Sequence, residues 1–232
     1  MHPTVKSARI AGALYLLLAL IGIFDLLYVP SVIIVHGNAT ATANNILAHE
    51  GLFRVGIAAD MISGLLFIIV AVALYRLLSD VNKSWAAIMV ALVLISVTAG
   101  WAAEANNLAA LSLVHGADFL SVFEKSQRDA LAMLFLVFNG ECTLVNEIFW
   151  GLWLLPFGAL VMKSGFLPRL LGAWLIINGI AYVAICFTGI LAPQFSSLVL
   201  KVTSPVLFGE IAIALWLLIM GAKVKPADAA AT

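Results

Sequence analysis

Four carboxylates stand far inside hydrophobic runs, and they are the side chains best placed to do chemistry: Asp25, Asp60, Glu147 and Glu210. A fifth acid, Glu104, has Asn107 three residues on. The densest polar stretch is NGECTLVNEIFWGLW, residues 139–153, with two glutamates and two asparagines in an apolar run. An ionised carboxylate in a bilayer core costs a few kcal/mol even on lenient insertion scales. Such a residue persists where it takes up a proton, binds a cation, ligates a metal or is wetted by a cavity.

The runs that carry these acids read as membrane spans. Of 232 residues, 64% are hydrophobic and only 10% charged, against about 25% charged in a soluble domain. Mean hydropathy is +1.12. So few charges cannot cover a water-facing surface, so most of the outer surface must meet lipid. Six segments are long enough: residues 8–35, 51–78, 85–114, 129–162, 168–191 and 204–222. The first is too long for a signal-peptide core and is read as a retained helix. The expected fold is therefore all-α, a polytopic six-helix membrane bundle. Residues 1–225 form one transmembrane domain, and 226–232 a disordered tail.

Charge placement orients the bundle. With the N-terminus inside, the inner side holds eight basic residues: Lys6, Arg9, Arg76, Lys83, Lys163, Arg169, Lys223 and Lys225. The outer side holds four: Arg54, Lys125, Arg128 and Lys201. This split predicts that both termini are cytoplasmic. The inner turn KSGFLPR uses Gly165 and Pro168 to reverse the chain. His36, His49 and His115 fall in the outer loops. Pro156 is expected to bend the fourth span.

Depth follows by counting from the inner cations. Asp25, Asp60 and Glu147 lie 16 residues from Arg9, Arg76 and Lys163; Glu210 lies 13 from Lys223. At about 1.5 Å per residue these four share a level about 20–24 Å above the inner boundary. Glu104 lies a little higher, and Glu141 is at the outer headgroups. Six residues at about 100° each turn Glu141 away from Glu147. Asn139, Thr143, Asn146, Glu147 and Trp150 share one arc, read as facing the bundle interior. Arg54, about 9 Å along the helix from Asp60, is the candidate ion-pair partner.

Other chemistries find no support. No basic run suggests nucleic acid. There is no H-E-x-x-H, G-x-S-x-G, P-loop or dinucleotide glycine pattern, and thus no enzyme signature. Cys142 and Cys186 lack metal-ligand spacing and are expected to be buried packing residues. The segments EIFWGLWLLPFGA and EIAIALWLLIMGA agree at eight of thirteen positions, aligning Glu147 with Glu210 and Trp153 with Trp216. They read as a faint parallel echo.

At ARIAGALYLLL (8–18), IFWGLWLLPFG (148–158), SGFLPRLLG (164–172) and the GE before LWLLIMG, the chain resembles a bacterial multi-pass family, domain of unknown function 4386. The resemblance covers nearly the whole chain. It implies an integral membrane protein with this helix count, and no activity. For site residues it implies Glu210 and the acid–asparagine pattern at Glu104 and Asn107.

The reading is a multi-pass protein of a bacterial inner membrane with an acid-lined cavity opening outward. Its candidate ligand- or cation-binding residues are Asp25, Asp60, Glu104, Asn107, Asn146, Glu147 and Glu210. The leading function is a small transporter, or a membrane protein responsive to protons or cations. The rivals are a non-catalytic component packing against a partner, and a metal-dependent hydrolase built from the acids and outer histidines. No cofactor is expected beyond a bound cation. The partners are the lipid bilayer and no nucleic acid, with a partner protein or a homo-oligomer left open.

Overall fold

Two of the spans are interrupted along their length, the first of them at a proline. In the first span, Pro30 lacks an N–H and its ring opposes the carbonyl four residues back. The chain widens there: α1 (Val5–Ile23) passes into a π turn (Phe24–Tyr28) before resuming as α2 (Val29–Ile33). In the last span Pro205 lies inside α8 (Ser196–Leu207), which stops at Phe208 before α9 (Gly209–Ile219) begins. Between these lie α3 (Ala39–Ala48), α4 (Glu50–Leu78), α5 (Lys83–His115), α6 (Lys125–Ser164) and α7 (Arg169–Leu191).

This computed structural model describes residues 5–222. The expected tail at 226–232, with Lys223 and Lys225, lies outside the described residues. Six helical stretches are long and apolar enough to cross a membrane: Val5–Ile33, Glu50–Leu78, Lys83–His115, Lys125–Ser164, Arg169–Leu191 and Pro193–Ile219. The sixth starts earlier than its hydropathy suggests, because the serines, threonine and lysine of α8 mask it. α6 runs its 40 residues through Pro156 without interruption. At about 1.5 Å per residue that is about 60 Å, twice a hydrocarbon core of about 30 Å.

α3 is a correction to the outer loop. Asn38 caps it, accepting from the Ala41 N–H at 2.9 Å, and one face buries Thr42, Ala43 and Ile46. Asn45 Nδ2 reaches the Val32 and Ile33 carbonyls, each at 3.3 Å, at the end of α2. Short polar side chains thus supply the acceptor that the start of α3 lacks and the donor that the end of α2 lacks.

The described residues gather into two compact units. The first comprises the described parts of Met1–Ala19, Leu65–Val97 and Leu144–Thr232; the second, Leu20–Gly64 and Thr98–Thr143. In the first, glycines bring backbones together, the small-residue packing of membrane helices. A Cβ on Gly158 would lie 2.5 Å from the Gly172 carbonyl oxygen, and one on Gly151 2.5 Å from that of Gly179. Both pairs repeat at seven residues, so α6 and α7 touch twice on one line. On another face of α6, Trp153 and Phe157 stack with centroids 5.4 Å apart, against Tyr15 of α1. In the second unit Val29, Ile33, Ile46, Phe53, Ala110 and Leu136 are among the residues of a shared apolar core.

Gly158→Val forces a branched side chain against a neighbouring backbone that has no flexible end to give way. We expect it to cost at least the upper part of the roughly 1–3 kcal/mol range for overpacking. A melting curve in detergent reads this directly, with Gly22→Val as control because its Cβ would meet open space. Equal melting points would show that α6 and α7 do not pack at these glycines.

Candidate functional site

In the second unit the acids converge from three spans. Asp25 is the second residue of the π turn, Asp60 lies in α4 and Glu104 in α5. The Asp25 and Asp60 carboxyls lie within hydrogen-bonding reach of each other, and Glu104 is close enough to act electrostatically on both. Glu104 is braced on each oxygen: Asn107 Nδ2 donates to Oε2 at 2.9 Å and Asn139 Nδ2 to Oε1 at 3.3 Å. Asn139 also donates to the Ala103 carbonyl at 3.1 Å. Glu104 is thus fixed as an acceptor, while the aspartates face each other. Like charges this near oppose one another, so uptake of a proton or a small cation would favour the pair. Pi turns recur at functional sites, where the extra residue re-aims side chains.

The first unit holds a different arrangement. Glu210 is the second residue of α9, directly after the break at Phe208. There it meets the unpaired N–H groups and positive dipole end of a helix. The Tyr15 hydroxyl donates to Glu210 Oε2, and the Tyr182 hydroxyl hydrogen-bonds the same carboxylate. Glu147 is near enough to act on Tyr182 and Cys186, and its Oε2 is buried with no hydrogen-bond partner among the described residues. Across the break, Trp174 Nε1 donates to the Val206 carbonyl at 2.8 Å and Asn178 Nδ2 to that of Leu207 at 3.3 Å. Two side chains of α7 therefore hold the carbonyls that the broken helix leaves free. Asn178→Leu should leave the Leu207 oxygen unsatisfied and cost about 1–3 kcal/mol. Thermal unfolding in detergent measures it, and an unchanged midpoint would mean that Asn178 does not cap the break.

The other expected residues fall as follows. Asn146 is buried and donates to the Ser96 carbonyl at 3.2 Å, bracing α6 against α5 in the first unit. Arg54 forms its ion pair with Glu50 at 2.6 Å, one turn before it, rather than reaching down to Asp60. His115 Nε2 lies 3.2 Å from the same Glu50. Among the described residues no three or more His, Cys, Asp or Glu side chains are grouped to hold a metal ion. Glu141 is exposed, on the side its helical angle predicts. Cys142 is also exposed, contrary to expectation, since it adjoins Glu141 on the outward face; Cys186 is buried. The echo between the two Glu–Trp segments does not extend to the backbone, because Glu147 is mid-helix and Glu210 opens one.

The sequence reading did not single out Tyr15 and Tyr182. Their signal was available: a tyrosine mid-span, far from either interface, needs a partner for its hydroxyl. Asn178 carried the same signal.

Comparison with known proteins adds the following. The family described as Domain of unknown function (DUF4386) matches residues 10–221. The chain is also similar to an uncharacterized protein of Archaeoglobus fulgidus, 33% identical over 81 residues, which is 35% of this chain. The matched part spans about half, 47%, of that relative's length. No solved structure matches the chain.

Proposed function

We propose, for a chain that belongs to the DUF4386 family of multi-span helical proteins, that it is a small cation- or proton-coupled transporter of the cell membrane. Its exchange site is the Asp25–Asp60 pair, with Glu104 as a fixed neighbouring anion. The observation that carries the reading is the approach of two carboxyls from separate spans, near enough to act on each other, beside a third acid held by two amides. A pair of this kind changes charge when it gains or loses a proton or a small cation. A carrier site inside a membrane requires such a change. The π turn beneath Asp25 supports it, since irregular helix geometry accompanies ion sites in transporters.

The test is thermal shift on detergent-purified protein across a series of sodium, potassium, lithium, magnesium and proton concentrations. The wild type stands beside Asp25→Asn/Asp60→Asn. A ligand that prefers the folded state raises the melting point with its concentration. We expect one cation, or pH itself, to shift the wild type and not the double variant. Proteoliposomes with an internal pH dye then ask whether the same ion moves protons. If neither cations nor pH separate the two proteins, the acids are hydrated scaffolding, and partner capture becomes the next experiment.

A further inference from the structure

α5, α6 and α7 leave an apolar groove of about 500 Å³ in the first unit, within the range of about 300–1,000 Å³ that one ligand fills. Ile88 and Leu92 of α5, Leu155, Pro156 and Ala159 of α6 and Ile176 of α7 line it, with Trp85. Nothing on these walls beyond the Trp85 indole can hydrogen-bond. In a membrane the walls call for a hydrocarbon chain.

The Trp85 end of the groove has the opposite character. Lys163 Nζ stands 4.6 Å from the centre of the Trp85 ring, a cation held over an aromatic face. Lys83 precedes Trp85 by two residues, Lys163 follows Ala159 by four, and Arg169 opens α7 seven residues before Ile176. All three cations are exposed. α7 starts after Pro168 with no side-chain cap, and although the Leu171 N–H is taken by the Pro168 carbonyl at 3.1 Å, those of Arg169 and Leu170 remain available. The turn between α6 and α7 is fixed: Ser164 Oγ donates to the Val161 carbonyl at 2.8 Å and accepts from the Leu167 N–H at 3.1 Å. Gly165 supplies the positive φ of +73° that the turn needs. A rigid corner thus presents Lys163 and Arg169 together, next to the groove's aromatic edge. By the charge split this is the cytoplasmic side, where anionic lipid headgroups attract basic residues.

We propose that this groove is a binding site for one anionic phospholipid. An acyl chain lies along Ile88, Leu155 and Ala159, and the phosphate sits among Lys83, Lys163 and Arg169. Charge complementarity selects this occupant over a neutral lipid or a neighbouring apolar helix, neither of which would use three cations at one end. The inference is independent of the aspartate pair.

The experiment titrates the full chain in detergent with phosphatidylglycerol or phosphatidylcholine of identical chains, reading melting temperature and lipid-bound mass by native mass spectrometry. Lys163→Gln/Arg169→Gln and Ala159→Phe are run in parallel, with inorganic phosphate as a further ligand. Wild type should prefer phosphatidylglycerol, and the charge variant should bind it about tenfold more weakly while binding phosphatidylcholine as before. Ala159→Phe, which fills the groove, should weaken both lipids. The charge variant alters only exposed side chains, so it decides the matter should Ala159→Phe fail to fold. Equal binding of the two lipids by wild type, or a preference that survives in the charge variant, overturns the proposal. So does an equal gain from inorganic phosphate, which would mark a free-anion site.

Discussion

Asp60→Asn should make the purified protein more stable than wild type at alkaline pH while removing its response to cations. Burying a carboxylate usually argues the reverse for its loss, since a deleted partner leaves a charge unpaired. Here the partner of Asp60 is another carboxyl. When neither group holds a proton, two like charges in contact oppose the fold. At an effective dielectric near 20 and about 4 Å, their repulsion is on the order of 4 kcal/mol, the upper scale for the gain. Asparagine keeps a donor and an acceptor in nearly the same shape, so the contact with Asp25 survives as an amide–carboxylate bond. The gain should shrink as pH falls and the wild-type pair takes up its proton. Asp25→Asn should behave alike. Glu104→Gln should differ, because Glu104 accepts from Asn107 and Asn139 and an amide would turn one donor against another. Melting temperatures of the four proteins from mildly acid to alkaline pH decide this. An alkaline loss from Asp60→Asn as large as that from Glu104→Gln would mean that Asp60 serves as a paired structural acid.

That acids stand inside the helical spans was legible in the sequence, and their azimuth only partly so. Counting from basic residues needs only the helical rise, and it picked out the half-buried Asp25, Asp60, Glu104, Glu147 and Glu210, but not Asp129, the buried acid that Lys125 pairs at 2.7 Å. Within α6, turning by about 100° per residue also separated exposed Glu141 from Asn146 and Glu147. Between helices no such rule exists. The count set Asp25, Asp60, Glu147 and Glu210 at one level, yet the first two belong with Glu104 in the second unit and the others to the first. Arg54 shows a different failure. Glu50 stands four residues before it, the spacing of an exposed helical ion pair, and that local partner outcompetes a buried one. The first backbone break was visible as Pro30, whereas the one at Phe208 follows Pro205 on the side that proline does not disrupt, and hydropathy averages over both. α3 was hidden for the opposite reason: ten residues rich in alanine and threonine carry too little apolar signal to stand out from a loop.

The largest loss of stability should come from Glu210→Leu. Tyr15 and Tyr182 both hydrogen-bond to Glu210 from other helices, and Tyr15 is only 3% exposed. Removing the acceptor strands both hydroxyls, each at about 1–3 kcal/mol. The sum is a large part of the 5–15 kcal/mol or so that a typical folded protein has in total. Glu210→Leu should therefore yield little folded protein, while Glu210→Gln, which retains an acceptor oxygen, should fold with a loss nearer 1 kcal/mol. Loss of folding alone would not identify the tyrosines as the cause, because a leucine after the Phe208 break could also disturb α9. The discriminating measurement is a cycle. On a Tyr15→Phe/Tyr182→Phe background the stranded donors are already gone, so Glu210→Leu should cost several-fold less than on the wild type. An equal cost on both backgrounds would show that the tyrosines do not hold Glu210. A strong interaction would make the clamp the joint that ties α1 and α7 to the start of α9. The helix break would then be maintained from both sides: by Trp174 and Asn178 on its carbonyls, and by two phenols on the acid that follows.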